Sequence, residues 1–227
     1  MDDFTAALAE IQDTLDGYRK QNLRMFATSS FQTNSVVLLH ILSTIAPDVP
    51  VYFLNTGFHF PETLMFRDDL RVRLGLDVRD VFSSIPRHQQ RVGAGRFLFT
   101  SDPDTCCHIN KIASLEPVLQ SHDVWINGIR AGQSATRQAM KRQQRARGVL
   151  RFHPILKWSE QMVSDYILRH DLPRHPLDSA GYGSVGCRPC TRRPSASSAL
   201  DDRGGRWSGL NKTECGLHTV LATPDAS

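Results

Sequence analysis

The chain has 227 residues, 40% of them hydrophobic and 22% charged, with a formal net charge of +4 and an isoelectric point near 8.9. That length suits one sizeable core with at most a tail, and the composition is that of an ordinary soluble globular protein. No apolar run approaches the roughly 18 residues a spanning helix needs, and "MDDFTAALAE" lacks the basic and apolar regions of a secretory signal. A cytoplasmic location with reduced cysteines is therefore expected. The mild excess of base suits an anionic small ligand as well as nucleic acid.

Phe4, Ala7, Leu8, Ile11 and Leu15 recur at helical spacing and predict a packing helix. "LRMFATSSF" reads as a buried strand entering a polar turn with Ser29, Ser30, Thr33, Asn34 and Ser35. "SVVLLHILSTI" then reads as a helix. Strand, polar turn and helix make an anion site, because backbone N–H groups, hydroxyls and the helix dipole face the ligand. An ordinary helix cap explains the same residues. The turn has no glycine, so it is not a Walker loop.

"VPVYFLNTG" is nearly all apolar, as a strand covered on both faces should be. "FPETLMFRDDLRVRL" opens a helix with Pro61 and Glu62 in its first turn. "DVRDVF" reads as a third strand, 83–103 as irregular, and "DVWINGIR" as a fourth strand ending in Gly128 and Arg130. Strands alternating with helices predict an α/β fold with a doubly wound, mostly parallel sheet. Ligands of such sheets bind at the carboxyl ends of the strands, where Ser29, Asn55, Gly57, Gly128 and Arg130 fall.

From Arg137 to Arg151 there are six basic residues and no acidic one. A solvated loop and a lid over an anionic ligand both fit. Trp158, Met162, Val163, Tyr166 and Ile167 form one face of another helix. Beyond Thr191 the chain is rich in Gly, Ser and Arg and poor in apolar residues. This predicts a nucleotide-binding α/β domain over 1–190 and a flexible C-terminal catalytic tail over 191–227.

Five cysteines carry the chemistry. Cys187 and Cys190 have a spacing common to zinc and iron–sulfur ligands, whereas Cys106 and Cys107 are adjacent. Neighbouring Cα atoms are about 3.8 Å apart, and disulfides usually need about 4.4 to 6.8 Å, so a bridge within that pair would be strained. An iron–sulfur cluster, zinc, and buried non-ligating thiols all remain open for these four. Cys215 stands apart, beside Lys212 and His218 and soon after Arg203 and Arg206. Nearby cations favour the thiolate, the attacking species.

"CCHINK", "GCRPCTR", "GRW" and "KTECGLH" occur in this order, with "SSFQTNSVVLLH", "VYFLNTGFHFPETL", "WINGIRAGQSATR" and "HPILKW". From about Ser29 to His218 the chain resembles the assimilatory adenylyl-sulfate reductases, the cluster-bearing branch of the 3′-phosphoadenylyl-sulfate reductase family. The resemblance implies a Rossmann-like fold related to ATP pyrophosphatases. It implies a 4Fe-4S cluster on Cys106, Cys107, Cys187 and Cys190, and attack by Cys215 on the sulfur of adenosine 5′-phosphosulfate. AMP then leaves an S-sulfocysteine, and thioredoxin releases sulfite. Arg203, Arg206, Arg130 and Lys111 match positions that offset substrate charge, with His218 near the nucleophile. Ser29 and Ser30 match the loop that meets the phosphosulfate, and Leu54 and Gly128 match positions near the adenosine. Family members form homo-oligomers.

Three departures accompany the resemblance. Many relatives carry aspartate where Asn55 stands, so no carboxylate role carries over. The thioredoxin-like domain of plant-type enzymes has no counterpart up to Ser227, so a separate thioredoxin is expected. "SSFQTNS" replaces the Ser-Gly-Gly-x-Asp-Ser loop of ATP pyrophosphatases, which argues against ATP cleavage. Rival expectations are the same reaction on the 3′-phosphorylated nucleotide, a nucleic-acid-binding protein with a zinc knot, and a non-catalytic iron–sulfur sensor.

Overall fold

The structure is a computed structural model that describes residues 3–93, 95–194, 205–207, 212 and 216–218. In chain order its elements are α1 (Asp3–Lys20), β1 (Met25–Thr28), α2 (Thr33–Ile45), β2 (Val51–Leu54), α3 (Pro61–Leu74), β3 (Val78–Val81), β4 (Arg91–Val92) and β5 (Arg96–Phe97). They continue with α4 (Leu98–Ser101), α5 (Pro103–Cys107), α6 (Ala113–Gln120), β6 (Val124–Asn127), α7 (Ala135–Gln138), β7 (Gln143–Ala146), β8 (Val149–Phe152), α8 (Glu160–Arg169) and α9 (Pro176–Ser179).

The main sheet has six strands in the order β3-β2-β1-β6-β8-β7. Every pairing in it is parallel except β7 with β8. The doubly wound, mostly parallel sheet expected from the alternating pattern is therefore present. Side chains alternate between the two faces, as the pleat requires. Met25, Ala27, Val124 and Ile126 pack with α1, α2 and α8 in one apolar cluster. Phe26 and Trp125 point the other way and pack with Ile112, Leu115 and Leu119 in a second. All four β6 residues are buried, which is why that strand carries no polar alternation.

Local signals explain the helix ends. Pro61 starts α3, and Gly75 ends it at φ 62°, its N–H reaching Arg71 O and Val72 O. That left-handed cap is cheap only for glycine or asparagine. The 83–103 stretch, read as irregular from sequence, contains the small β4–β5 hairpin and α4.

The basic Arg137–Arg151 stretch is neither a loop nor a lid. Most of it is α7 and the β7–β8 hairpin, turned by Arg147 (φ 55°) and Gly148 (φ 76°). Two successive positive φ values match the twist of the flanking strands. Ala146, Val149 and Phe152 are buried, and so is Arg151, whose guanidinium lies 4.8 Å from the Trp125 ring centroid. Burial lowers the Arg151 pKa to about 10, and the aromatic face offsets part of that cost.

Among the described residues, no helix is long and apolar enough to cross a membrane.

Trp125 is fully buried and its Nε1 donates to Thr28 Oγ1 at 2.8 Å. Trp125→Ala should lower unfolding free energy by about 3–5 kcal/mol, read from urea denaturation monitored by circular dichroism.

Candidate functional site

The chain returns from β3 to place β6 beside β1, so successive strands run away from β1 on both sides. Such a reversal opens a crevice at the carboxyl edge. A cavity of about 200 Å³ lies there, lined by Thr28, Leu54 and Asn127 at strand ends and by Ser29, Ser30 and Gly128 just beyond. Gly128 packs closely: a Cβ there would lie 3.4 Å from Leu38 Cβ.

The turn after β1 is held open by its own hydroxyls. Ser29 Oγ accepts from Phe31 N (3.0 Å), and Ser30 Oγ lies 3.2 Å from Ser35 Oγ. Phe31 adopts φ 53°, a costly conformation for a bulky residue. Its fully buried ring packs edge-on against Phe53, which holds it there. Gln32, the N-cap of α2, makes no side-chain cap bond, so the helix N-terminus keeps backbone donors for an anion. The Gln32 amide reaches across instead. Its Nε2 donates to Ser30 Oγ (3.2 Å), and its Oε1 accepts from Val185 N (3.0 Å). This contact ties the turn to the glycine-rich loop that carries Cys187.

Cations supply the other wall. Lys111, Arg137 and Arg206 line the cavity. Arg206 Nη1 donates to Val185 O (3.3 Å) and Ser184 Oγ (3.4 Å), and its guanidinium lies 4.5 Å from the Trp207 ring centroid. A Cβ on Gly186 would meet the end of the Arg206 guanidinium, so a side chain there would push this arginine out of its position. Arg130 is buried and is not among the lining residues; its backbone N donates to Gln133 Oε1 (3.0 Å). Arg137, seven residues on, is the arginine from this segment that meets the cavity, and Gln133 holds its Nη1.

The four paired cysteines, far apart in sequence, line one smaller cavity beside the first. Asp102 caps α5 by accepting from Thr105 N (3.0 Å), and Cys106 and Cys107 end that helix. A single π-type turn, His108–Ile112, follows and carries Lys111. Lys111 lines both cavities. Cys187 precedes and Cys190 ends the 3₁₀ turn Arg188–Cys190, which is anchored by Arg188 N donating to Phe58 O (2.7 Å). Thr56 Oγ1 lies 3.2 Å from Cys187 Sγ. Cys106, Cys107 and Cys187 are buried, and Cys190 is half-buried. Burial, followed by repulsion from Cys187 and Cys190, pushes the Cys106 thiol up to about 11. Thiolates in this place need a cationic partner. Among the described residues, no group of three Cys, His, Asp or Glu is arranged for a single metal ion.

Arg203 and Cys215 lie outside the described residues. Gly216–His218 forms a 3₁₀ turn, and Leu217 lines the larger cavity and packs on the Phe26–Trp125 cluster. Lys212 pairs with Asp104 on α5. Thr191 bridges Arg206, and Trp207 is buried.

His59 was not legible as a site residue, because its position depends on how the loop after β2 folds back. Its Nε2 lies 2.9 Å from Leu54 O. That oxygen only accepts, so Nε2 carries the proton. The ring packs on Phe53 and lines the cavity. Burial lowers its pKa to about 4, helped by the charges of Lys111, Arg67 and Arg206 and opposed by the bond to Leu54 O. His153 is lowered to about 3, chiefly by burial and then by Arg151 and Arg137.

The sequence profile of the phosphoadenosine phosphosulfate reductase domain matches residues 24–193. The adenosine 5′-phosphosulfate reductase of Rhodococcus erythropolis is 39% identical over 184 residues, covering 80% of this chain and 74% of that protein. The phosphoadenosine 5′-phosphosulfate reductase of Gloeobacter violaceus is 38% identical over 200 residues, covering 86% and 82%. Among solved structures, the phosphoadenylyl-sulfate reductase of Candida auris superposes with a TM-score of 0.66 at 20% identity, covering 78% of this chain and 87% of that one.

His59, which is half-buried, and the buried His153 give a pH signature. Both protonate near 6.5 when unfolded but stay neutral in the folded chain to about 4 and about 3. The unfolded state binds more protons in that window, so stability is full above about pH 6.5 and falls as pH drops towards 4. His59 alone accounts for up to about 3 kcal/mol of the loss, at about 1.4 kcal/mol per pH unit. Urea denaturation at a series of pH values should show the decline, and His59→Gln should flatten it.

Proposed function

The chain belongs to the phosphoadenosine phosphosulfate reductase family, and from that premise we propose that it reduces adenosine 5′-phosphosulfate to sulfite and AMP in sulfate assimilation. The observation that carries the reading is the placement of Lys111, which lines both the strand-end cavity and the cavity of the four cysteines. A strand-switch crevice with a hydroxyl-rich turn and three lining cations suits a nucleotide bearing a phosphosulfate.

In this reading Ser29, Ser30 and the amino end of α2 take the phosphosulfate oxygens, and Leu54 and Gly128 border the adenosine. Lys111 and Arg206 offset charge on the phosphate and sulfate, with Arg203 assigned the same role. Pre-placed cations are most effective away from water, and the bonds of Arg206 to Val185 O and Ser184 Oγ hold that guanidinium in place. The Cys215 thiolate attacks the sulfur. A sulfur–sulfur bond forms, the sulfur–oxygen bond to phosphate breaks, and the electron pair leaves with AMP. His218, three residues on in sequence, is assigned a place beside the nucleophile. One thiolate of a separate thioredoxin then attacks Cys215 Sγ, and sulfite leaves with the electron pair. The second thioredoxin thiol closes the thioredoxin disulfide and frees Cys215, so the dithiol supplies both electrons. This chemistry divides the chain into a binding domain over 1–190 and a catalytic tail over 191–227. A homo-oligomer and a cytoplasmic setting belong to the same reading.

The four cysteines, three buried and one half-buried, offer an all-sulfur donor set that suits a 4Fe-4S cluster. Bound there, such a cluster would tie the two cysteine pairs together and place fixed charge beside Lys111. Anaerobically purified protein should be brown and contain about four iron per chain with matching acid-labile sulfide. Cys187→Ser should lose iron and most sulfite production. Stoichiometric zinc without sulfide, from iron-replete cells, would count against the cluster.

The similarity to a protein named for the 3′-phosphorylated nucleotide keeps that substrate as a second reading. Sulfite release with thioredoxin, measured on each nucleotide, separates the two. Without thioredoxin, adenosine 5′-phosphosulfate should add one SO₃ group to Cys215, read by peptide mass spectrometry. Cys215→Ser should bind nucleotide and form no adduct; an adduct on another cysteine refutes the nucleophile assignment.

A further inference from the structure

Two buried amides sit behind the first cysteine pair, and no step above uses them. Gln90 and Asn110 are each 2% exposed. Gln90 Nε2 donates to Asn110 Oδ1 (3.0 Å), and Asn110 Nδ2 donates back to Gln90 Oε1 (2.7 Å). Backbone carbonyls, which only accept, orient both amides. Gln90 Nε2 also donates to Ile85 O (2.8 Å), and Asn110 Nδ2 to Cys106 O (2.9 Å). Neither amide can flip without setting oxygen against oxygen. Asn110 Nδ2 also lies 3.6 Å from Cys106 Sγ.

Asn110 belongs to the π-type turn His108–Ile112, in which Ala113 N donates to His108 O. Consecutive side chains on a regular helix point about 100° apart. Two adjacent cysteines reach one centre only if the backbone around them is held in a set geometry. Asn110 grips the Cys106 carbonyl from the turn that follows. Gln90, from the loop before β4, fixes Asn110, and its own carbonyl accepts from Leu98 N (3.0 Å).

We propose that the Gln90–Asn110 amide pair positions the cluster-binding end of α5 and supplies the Cys106 sulfur with an N–H donor. The proposal rests on the cluster reading above. Partners of this kind around metal ligands change metal retention by about 10- to 100-fold, and hydrogen bonds to ligating sulfur tune the cluster. A pair that merely filled the core would do neither.

The test uses cluster-loaded protein, prepared anaerobically, as wild type, Gln90→Leu, and the double variant Gln90→Leu with Asn110→Leu. Three quantities are read: thermal midpoint, rate of loss of the visible absorption under an iron chelator, and Mössbauer spectrum. Gln90→Leu leaves Asn110 Oδ1 buried without its donor, so it should lower the midpoint and speed bleaching about tenfold. The double variant removes the stranded Asn110 Oδ1 but leaves Ile85 O and Cys106 O without their amide donors, so it should recover part of the midpoint. It should still bleach about tenfold faster and show altered quadrupole splitting at one iron. If it does not fold, Gln90→Glu decides: the shape is kept, but a carboxylate oxygen faces Ile85 O, and fast bleaching is again expected. A folded double variant, or Gln90→Glu in its place, with wild-type bleaching and spectrum overturns the amide role and leaves the cluster reading standing. Wild-type protein with neither iron nor sulfide overturns both.

Discussion

The parallel pairing of β1 with β6 is the constraint on which the site depends. Thr28 stands opposite Asn127, so both strands end at one level, and the chain leaves them towards different helices. A crevice must open between the two exits. Phe26 and Trp125, register partners two residues earlier on the same two strands, stack with planes 5° apart and tie the strands together. Ser29, Ser30 and Gly128 face the crevice because they are the first residues beyond that pairing.

The walls of the crevice come from segments with no tendency of their own to meet. The Gln32 amide joins the turn after β1 to the backbone of Val185, 153 positions away in sequence. Thr56 meets the Cys187 sulfur across 131 positions. Each net hydrogen bond contributes only about 1 kcal/mol. Breaking one here leaves a buried polar group unpaired, which costs more than making it gains. These contacts therefore fix geometry more than they add stability, as a site that must hold cations and cysteines in register requires.

The described tail residues add a third layer. Trp207 is buried, Leu217 packs on the second apolar cluster, and Lys212 pairs with Asp104 at the start of α5. The Arg206 guanidinium lies against Gly186, in space that a side chain there would contest. These described residues are thus seated on the two cysteine-bearing segments, so the crevice and the environment of the cysteines share parts of one framework.

The order of the buried strands, the helices between them, the paired cysteines and the hydroxyl-rich turn were legible in the sequence, since each is a local pattern of a few residues. Apolar runs such as "VYFL" and "VWIN" demand burial wherever they occur. Other features were decided only in three dimensions. The six basic residues of 137–151 suggested a solvated segment, yet Ala146, Val149 and Phe152 pull it into the sheet edge, where pairing with β6 outweighs the charge pattern. Arg130 is buried and is not among the residues lining the cavity, whereas Arg137, seven residues on, lines it. His59, Gln32 and the Gln90–Asn110 pair carry no motif at all. Their meaning lies in partners that only the folded chain brings within hydrogen-bonding distance, because an amide or an imidazole acquires an orientation, and a histidine a shifted pKa, from its neighbours in space.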